Sequence, residues 1–155
     1  MTAESTVTAE STDIAETGKS AETAETAVET FLAAARAELD RVGPQEADEL
    51  RRAGALLVDI RPHANRAAEG EIPGSVPVER IHLEWRLAPD SEHRLPGITA
   101  ESRVIVLCNE GYSSSLAARD LRRLGLPLAT DLVGGFRAWA AAGLPVEPGG
   151  RPAVP

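Results

Sequence analysis

The chain has one cysteine, Cys108. A lone thiol can form no internal disulfide, so the fold needs no oxidising compartment and a cytoplasmic location is expected. Basic residues are also short: 16 stand against 24 acidic ones, a formal net charge of −8. That balance leaves no electrostatic footprint for nucleic acid. No run is long and apolar enough to cross a membrane, and the opening MTAESTVTAEST lacks the basic and apolar regions of a secretory leader. His63, His82 and His93 are too scattered to suggest a metal site. A soluble intracellular protein without metal or organic cofactor is therefore expected; its oligomeric state stays open.

The negative charge is concentrated at one end. Glu4, Glu10, Asp13, Glu16, Glu22 and Glu25 face Lys19 alone, in a stretch built almost wholly of Thr, Ala, Glu and Ser. Such a composition buries too little apolar surface to offset the entropy of ordering, so residues 1–26 are expected to be a disordered acidic tail. The rest is only mildly acidic and long enough to form one domain with a real core.

Apolar periodicity begins next. Val28, Phe31, Leu32, Ala35, Leu39 and Val42 share a helical face, so an extra N-terminal helix is expected over residues 27–43, stopped by Gly43 and Pro44. A second helix, Gln45 to Arg52, ends at Gly54. ALLVDI, Ala55 to Ile60, is the first clear strand. A short polar helix (His63 to Glu69), the turn Gly70 to Ser75 and a strand near Val76 to Val78 follow. Ile81 to Leu87 suits either a helix or a strand, and Ala88 to Arg103 reads as a surface connection.

VIVLCNEGYSSSLAA, Val104 to Ala118, is the stretch around which the chain is organised. Its apolar run reads as a buried strand, and Leu116, Ala117, Leu121 and Leu124 then recur at helical spacing. Cys108 thus falls on a strand-to-helix turn, where free amides of the next helix favour an anion such as a thiolate. A weak strand (Thr130 to Val133), Gly134–Gly135 and a helix (Phe136 to Ala142) complete the pattern, with residues 147–155 as a Pro/Gly tail. Strands alternate with helices, so the expected class is α/β, a mostly parallel central sheet with helices on both faces.

Four segments resemble the rhodanese-like domain family in the right order over residues 44–146. Asp59 and Arg61 match its strand-end Asp-x-Arg. Gly70, Ile72, Pro73 and Gly74 match its Gly-His-Ile-Pro-Gly turn, Cys108, Gly111 and Ser114 its cysteine loop, and Gly134, Gly135 and Trp139 its Gly-Gly-x-x-x-Trp. The resemblance implies a three-layer rhodanese-like fold and a sulfurtransferase. In that activity Cys108 takes a sulfane sulfur from a donor such as thiosulfate or a persulfide and carries it, as a persulfide, to a thiophilic acceptor; donor and acceptor are small molecules or proteins. It further implies that Asn109, Glu110, Gly111, Tyr112 and Ser113 form the loop around the sulfur. Arg61 matches the family's strand-end arginine, which can lie beside the site; Arg66, Arg80 and Arg86 are candidates for binding an anionic donor by position only.

The chain departs from that pattern at Glu71, where the family commonly has His, and at Ser113, where a basic residue or Thr is frequent. Glu110 adds a negative charge two residues from the thiol. At about 6 Å with water-like screening this opposes the thiolate by about 0.7 kcal/mol, about half a pKa unit, close to what a helix N-terminus contributes in its favour. A non-enzymatic module that binds a partner or senses oxidants through its thiol is the alternative. A phosphatase of the related cysteine class would need Arg six residues after the cysteine, where this chain has Ser114.

Overall fold

The computed structural model describes residues 24–155; the acidic tail expected over residues 1–26 lies almost wholly outside them. The chain divides after Thr30 into two units. The described part of the first holds the start of helix α1 (Ala27–Arg36), where Glu29 N–H donates to Thr26 Oγ1 and Thr26 N–H to the Glu29 carboxylate, a reciprocal cap.

The second unit, Phe31–Pro155, is built on four short parallel strands in the order β2-β1-β3-β4: β1 Leu56–Asp59, β2 Val76–Pro77, β3 Val104–Leu107 and β4 Thr130–Asp131. The helices of this unit are α2 (Pro44–Arg52) before β1, α3 (His63–Glu69), α4 (Leu83–Leu87) and α5 (Ser113–Arg123) between the strands, and α6 (Gly135–Ala141) after β4. Pro44, lacking an N–H, sits in the first turn of α2 where no intrahelical bond is lost. Arg80–His82 forms a 3-10 turn running into α4, which resolves the ambiguous Ile81 to Leu87 segment as helical.

Every residue of β3 is buried, and the strand's period of two divides them between two cores. Val104, Val106 and Cys108 face a cluster with Leu83 and Leu87 of α4 and Ala117, Ala118 and Leu121 of α5. Ile105 and Leu107 face the other, with Ala47 of α2 and Phe136 and Trp139 of α6. The sheet is thus covered on both faces, as expected for strands that read as continuous apolar runs.

Two expectations are corrected. Helix α1 ends at Arg36 rather than near Val42, because the backbone beyond it finds other partners. Val42 N–H donates to the Asp131 carbonyl, and Val133 N–H to that of Val42, forming a parallel bridge beside β4. The last residues, expected as a tail, lie along the domain instead. Glu147 and Glu71 exchange backbone hydrogen bonds, Val154 N–H donates to the Pro77 carbonyl, and Val154 bridges Val78.

Candidate active site

Cys108 immediately follows β3, at the carboxyl end of a central strand, and α5 starts five residues later. The residue is 9% exposed and forms part of a pocket of about 280 Å³. The pocket is lined by Ile60, Arg61, Pro62 and Asn65 from the end of β1 and the start of α3, and by Cys108, Asn109, Glu110, Tyr112 and Ser113 from the loop. Gly111 adds a direct contact, its N–H donating to Cys108 Sγ at 3.2 Å.

The loop keeps this shape because its carbonyls are held elsewhere. Phe136 N–H donates to the Cys108 carbonyl and Arg137 N–H to that of Asn109, both from the first turn of α6. The Gly111 carbonyl receives Arg36 Nη2 at 2.6 Å and Arg41 Nη2 at 3.0 Å. With these oxygens turned away, successive N–H groups can face the sulfur, the arrangement of an anion nest. Gly111 itself is required: its φ is +86°, and a Cβ there would lie 2.8 Å from the Gly134 nitrogen.

Burial pushes the Cys108 thiol up, but hydrogen bonding from Ser114, Ser113 and the Gly111 N–H outweighs it and holds the thiol below its ordinary value. The Ser114 hydroxyl has one hydrogen and is placed to give it to Asp131, 2.7 Å away. The lasting donors to the sulfur are therefore the backbone amides and the Ser113 hydroxyl.

Asp131, at the end of β4, is fully buried beneath the loop. Arg41 binds it through Nε (2.8 Å) and Nη2 (3.1 Å), and the hydroxyls of Ser114 and Ser115 donate to Oδ2. Arg36 Nε in turn donates to Ser115 Oγ at 3.0 Å, and its guanidinium lies 5.7 Å from the centre of the Tyr112 ring.

Of the residues singled out from the sequence, the structure brings together Cys108, Asn109, Glu110, Gly111, Tyr112, Ser113 and Arg61. Among the described residues, Arg61 is the only cation lining the pocket. It is tied to Asp59, to the Gly70 carbonyl and to the Phe136 ring, and Asp59 also accepts the Arg61 N–H, so Asp59 is a structural anchor. Arg61 Nη1 and Asn109 Oδ1 are buried without a partner among the described residues.

Arg66 is not at the site. It is 1% exposed, and its guanidinium binds the Glu71 carboxylate and the carbonyls of Arg61 and Arg151. Glu71, at the position where the family commonly has His, also takes Arg151, so that turn is a structural lock. Arg80 and Arg86 do not line the pocket either. The cost expected from Glu110 is also corrected: Arg137 Nη1 lies 2.8 Å from its carboxylate. Arg36, Arg41, Asp131 and Arg137 were not visible as site residues in the sequence. Each comes from an element distant in the chain, and only Asp131, an acidic residue in an apolar strand segment, leaves a local signal.

The family model for the rhodanese-like domain matches residues 43–142. The chain belongs to the rhodanese-like domain family. The thiosulfate sulfurtransferase GlpE of Stutzerimonas stutzeri (strain A1501) is 36% identical over 104 residues, covering 66% of this chain and 85% of that protein. The chloroplastic thiosulfate sulfurtransferase 16 of Arabidopsis thaliana is 30% identical over 122 residues, 79% of this chain and 88% of its own length. Among solved structures, a protein of unknown function from Rhodopseudomonas palustris CGA009, described as a possible tyrosine phosphatase, superposes with a TM-score of 0.71 at 29% identity. The alignment covers 82% of this chain and 98% of that one. The match begins at Gly43, one residue before α2, so α1 and the segment through Val42 lie outside the matched region.

Proposed function

We propose that this protein is a rhodanese-type sulfurtransferase with Cys108 as nucleophile and sulfur carrier. One observation carries the reading: Cys108 Sγ sits in the pocket, facing the Gly111 N–H, on a loop whose carbonyls are bound elsewhere. The sulfurtransferase names of its relatives agree with it.

In this reading the thiolate attacks the outer sulfur of thiosulfate. The S–S bond of the donor breaks, sulfite leaves with the bonding electron pair, and Cys108 becomes a persulfide. A thiophilic acceptor such as cyanide then attacks the terminal sulfur, forming thiocyanate and restoring the thiolate. The loop amides stabilise the anionic sulfur in both forms, and Arg61 is the cation available to an anionic donor. A carrier that must return to a free thiol suits a reducing compartment such as the cytoplasm.

The test is incubation with thiosulfate and cyanide. Thiocyanate formation, together with gain of one sulfur atom on Cys108 by intact mass, is expected, and Cys108→Ser is expected to lose both. Failure with thiosulfate and with a persulfide donor would refute the reading and favour a thiol sensor. Hydrolysis of an aryl phosphate is not expected: Ser114 takes the position a phosphatase gives to Arg, and its hydroxyl is bound to Asp131.

A further inference from the structure

Gly111 combines a direct contact to the sulfur with a backbone conformation open to glycine. Gly111 donates its N–H to Cys108 Sγ, yet its φ of +86° lies where glycine moves freely. The peptide that follows, from the Gly111 carbonyl to the Tyr112 N–H, could present either edge to the pocket at little cost. An inward carbonyl would set a partial negative charge against a thiolate or persulfide. Two guanidiniums prevent that flip by holding the Gly111 oxygen, Arg36 at 2.6 Å and Arg41 at 3.0 Å.

We propose that Arg36 and Arg41, which precede the matched family domain, are positioning residues that lock the Gly111–Tyr112 peptide with its N–H edge toward the sulfur. A trans peptide points its C=O and N–H in opposite directions, so fixing the oxygen on the arginines turns the Tyr112 N–H away from them. Two cations on one carbonyl also polarise the peptide and strengthen its N–H as a donor.

Both arginines are themselves held. Arg41 is aimed by the bridge between Val42 and Leu132 and by its bidentate pairing with buried Asp131. Arg36 is fixed by Ser115 Oγ, and Phe31, in the second unit with it, lies beneath the Arg119 guanidinium, 5.1 Å from the ring centre. The segment before the family domain thus completes the anion site from behind. This inference rests on the reading of Cys108 as the sulfur carrier, since it assigns the clamp a role at that atom.

The test uses the full chain, in which Cys108 is the only thiol, and follows its alkylation by iodoacetamide as a function of pH. Arg36→Met is expected to raise the midpoint by about half a unit to one unit, slowing alkylation below the midpoint about threefold to tenfold. Arg36→Lys is expected to recover part of the shift. Arg41→Met combined with Asp131→Asn removes the second guanidinium without stranding a buried carboxylate, and a rise is expected from it too. Melting temperatures are recorded in parallel. An unchanged midpoint in every variant that folds, even with a lowered melting temperature, would reduce the arginines to structural residues and overturn the proposal. Thiocyanate formation by the unaltered chain separates the two readings: its absence defeats the sulfurtransferase assignment, while the midpoints still decide the role of the clamp.

Discussion

Arg137 Nη1 lies 2.8 Å from a carboxylate oxygen of Glu110, while Nη2 of the same guanidinium lies 3.1 Å from Glu69. One cation on α6 thus bridges two carboxylates beside the Cys108 pocket and offsets one of their two charges, so Glu110 is not an unpaired charge against an anionic donor. Because both partners are half-exposed, the pair matters for the local field more than for stability. Arg137→Ala is expected to raise KM for thiosulfate about threefold to tenfold at low salt, with a much smaller change in kcat. Adding Glu110→Gln to that variant is expected to restore part of the loss. Steady-state kinetics at two ionic strengths checks both statements; a KM indifferent to Arg137 would remove the rim from the account.

The depressed Cys108 thiol gives the chain a signature in pH. Its thiolate persists to lower pH than that of free cysteine, so alkylation is expected to reach half its maximum at a lower pH than for free cysteine and to fall away under acid. A midpoint at or above that of free cysteine would mean that the loop amides do not offset the burial of the sulfur.

Gly111→Ala tests the loop geometry. An L-residue at φ +86° costs about 1–2 kcal/mol in backbone strain, before the contact its Cβ would make with the Gly134 nitrogen. Sulfur transfer is expected to drop at least about 100-fold, in line with losing a preorganised anion-stabilising donor. Thiocyanate assays with a denaturation curve separate that loss from unfolding.

The Glu71 lock should show in stability. Its carboxylate accepts Arg66 Nη1, Arg151 Nε and the N–H groups of Gly150 and Arg151. Burial pushes Glu71 up, but these bonds hold it below the usual carboxylate range. Its contribution is therefore complete above about pH 4.3, the unfolded value, and is lost as pH falls through the folded one. Glu71→Ala strands the buried Arg66 guanidinium and is expected to cost about 3–5 kcal/mol. Glu71→Gln is expected to flatten the acid side of the stability profile, read from urea denaturation at pH 3 to 7.

Local patterns revealed part of this architecture. Val104 to Leu107 reads as a buried strand because all four residues are apolar, and its end fixed the position of Cys108. Asp59 and Arg61 stood out through the resemblance to the family's strand-end Asp-x-Arg. Arg66 could not: whether an arginine on a polar helix faces solvent or an interior carboxylate depends on Glu71 and on Arg151, 85 residues away. Leu39 and Val42 continue a helical stripe, yet strand pairing with Leu132 overrides that local preference. Arg36 and Arg41 reach Gly111 across 75 and 70 residues, a separation at which periodicity carries no information.

Two of the three bridges found outside the named strands among the described residues, Val42 with Leu132 and Val78 with Val154, flank the sheet on opposite sides. A strand edge left bare is a template on which another chain can add itself, the usual start of ordered aggregation. In this fold each outer strand is partly shielded by a short covering segment, one from either side of the family domain. Trimming the chain to the matched region would expose both flanks, so a minimal domain is expected to self-associate more readily than the whole protein.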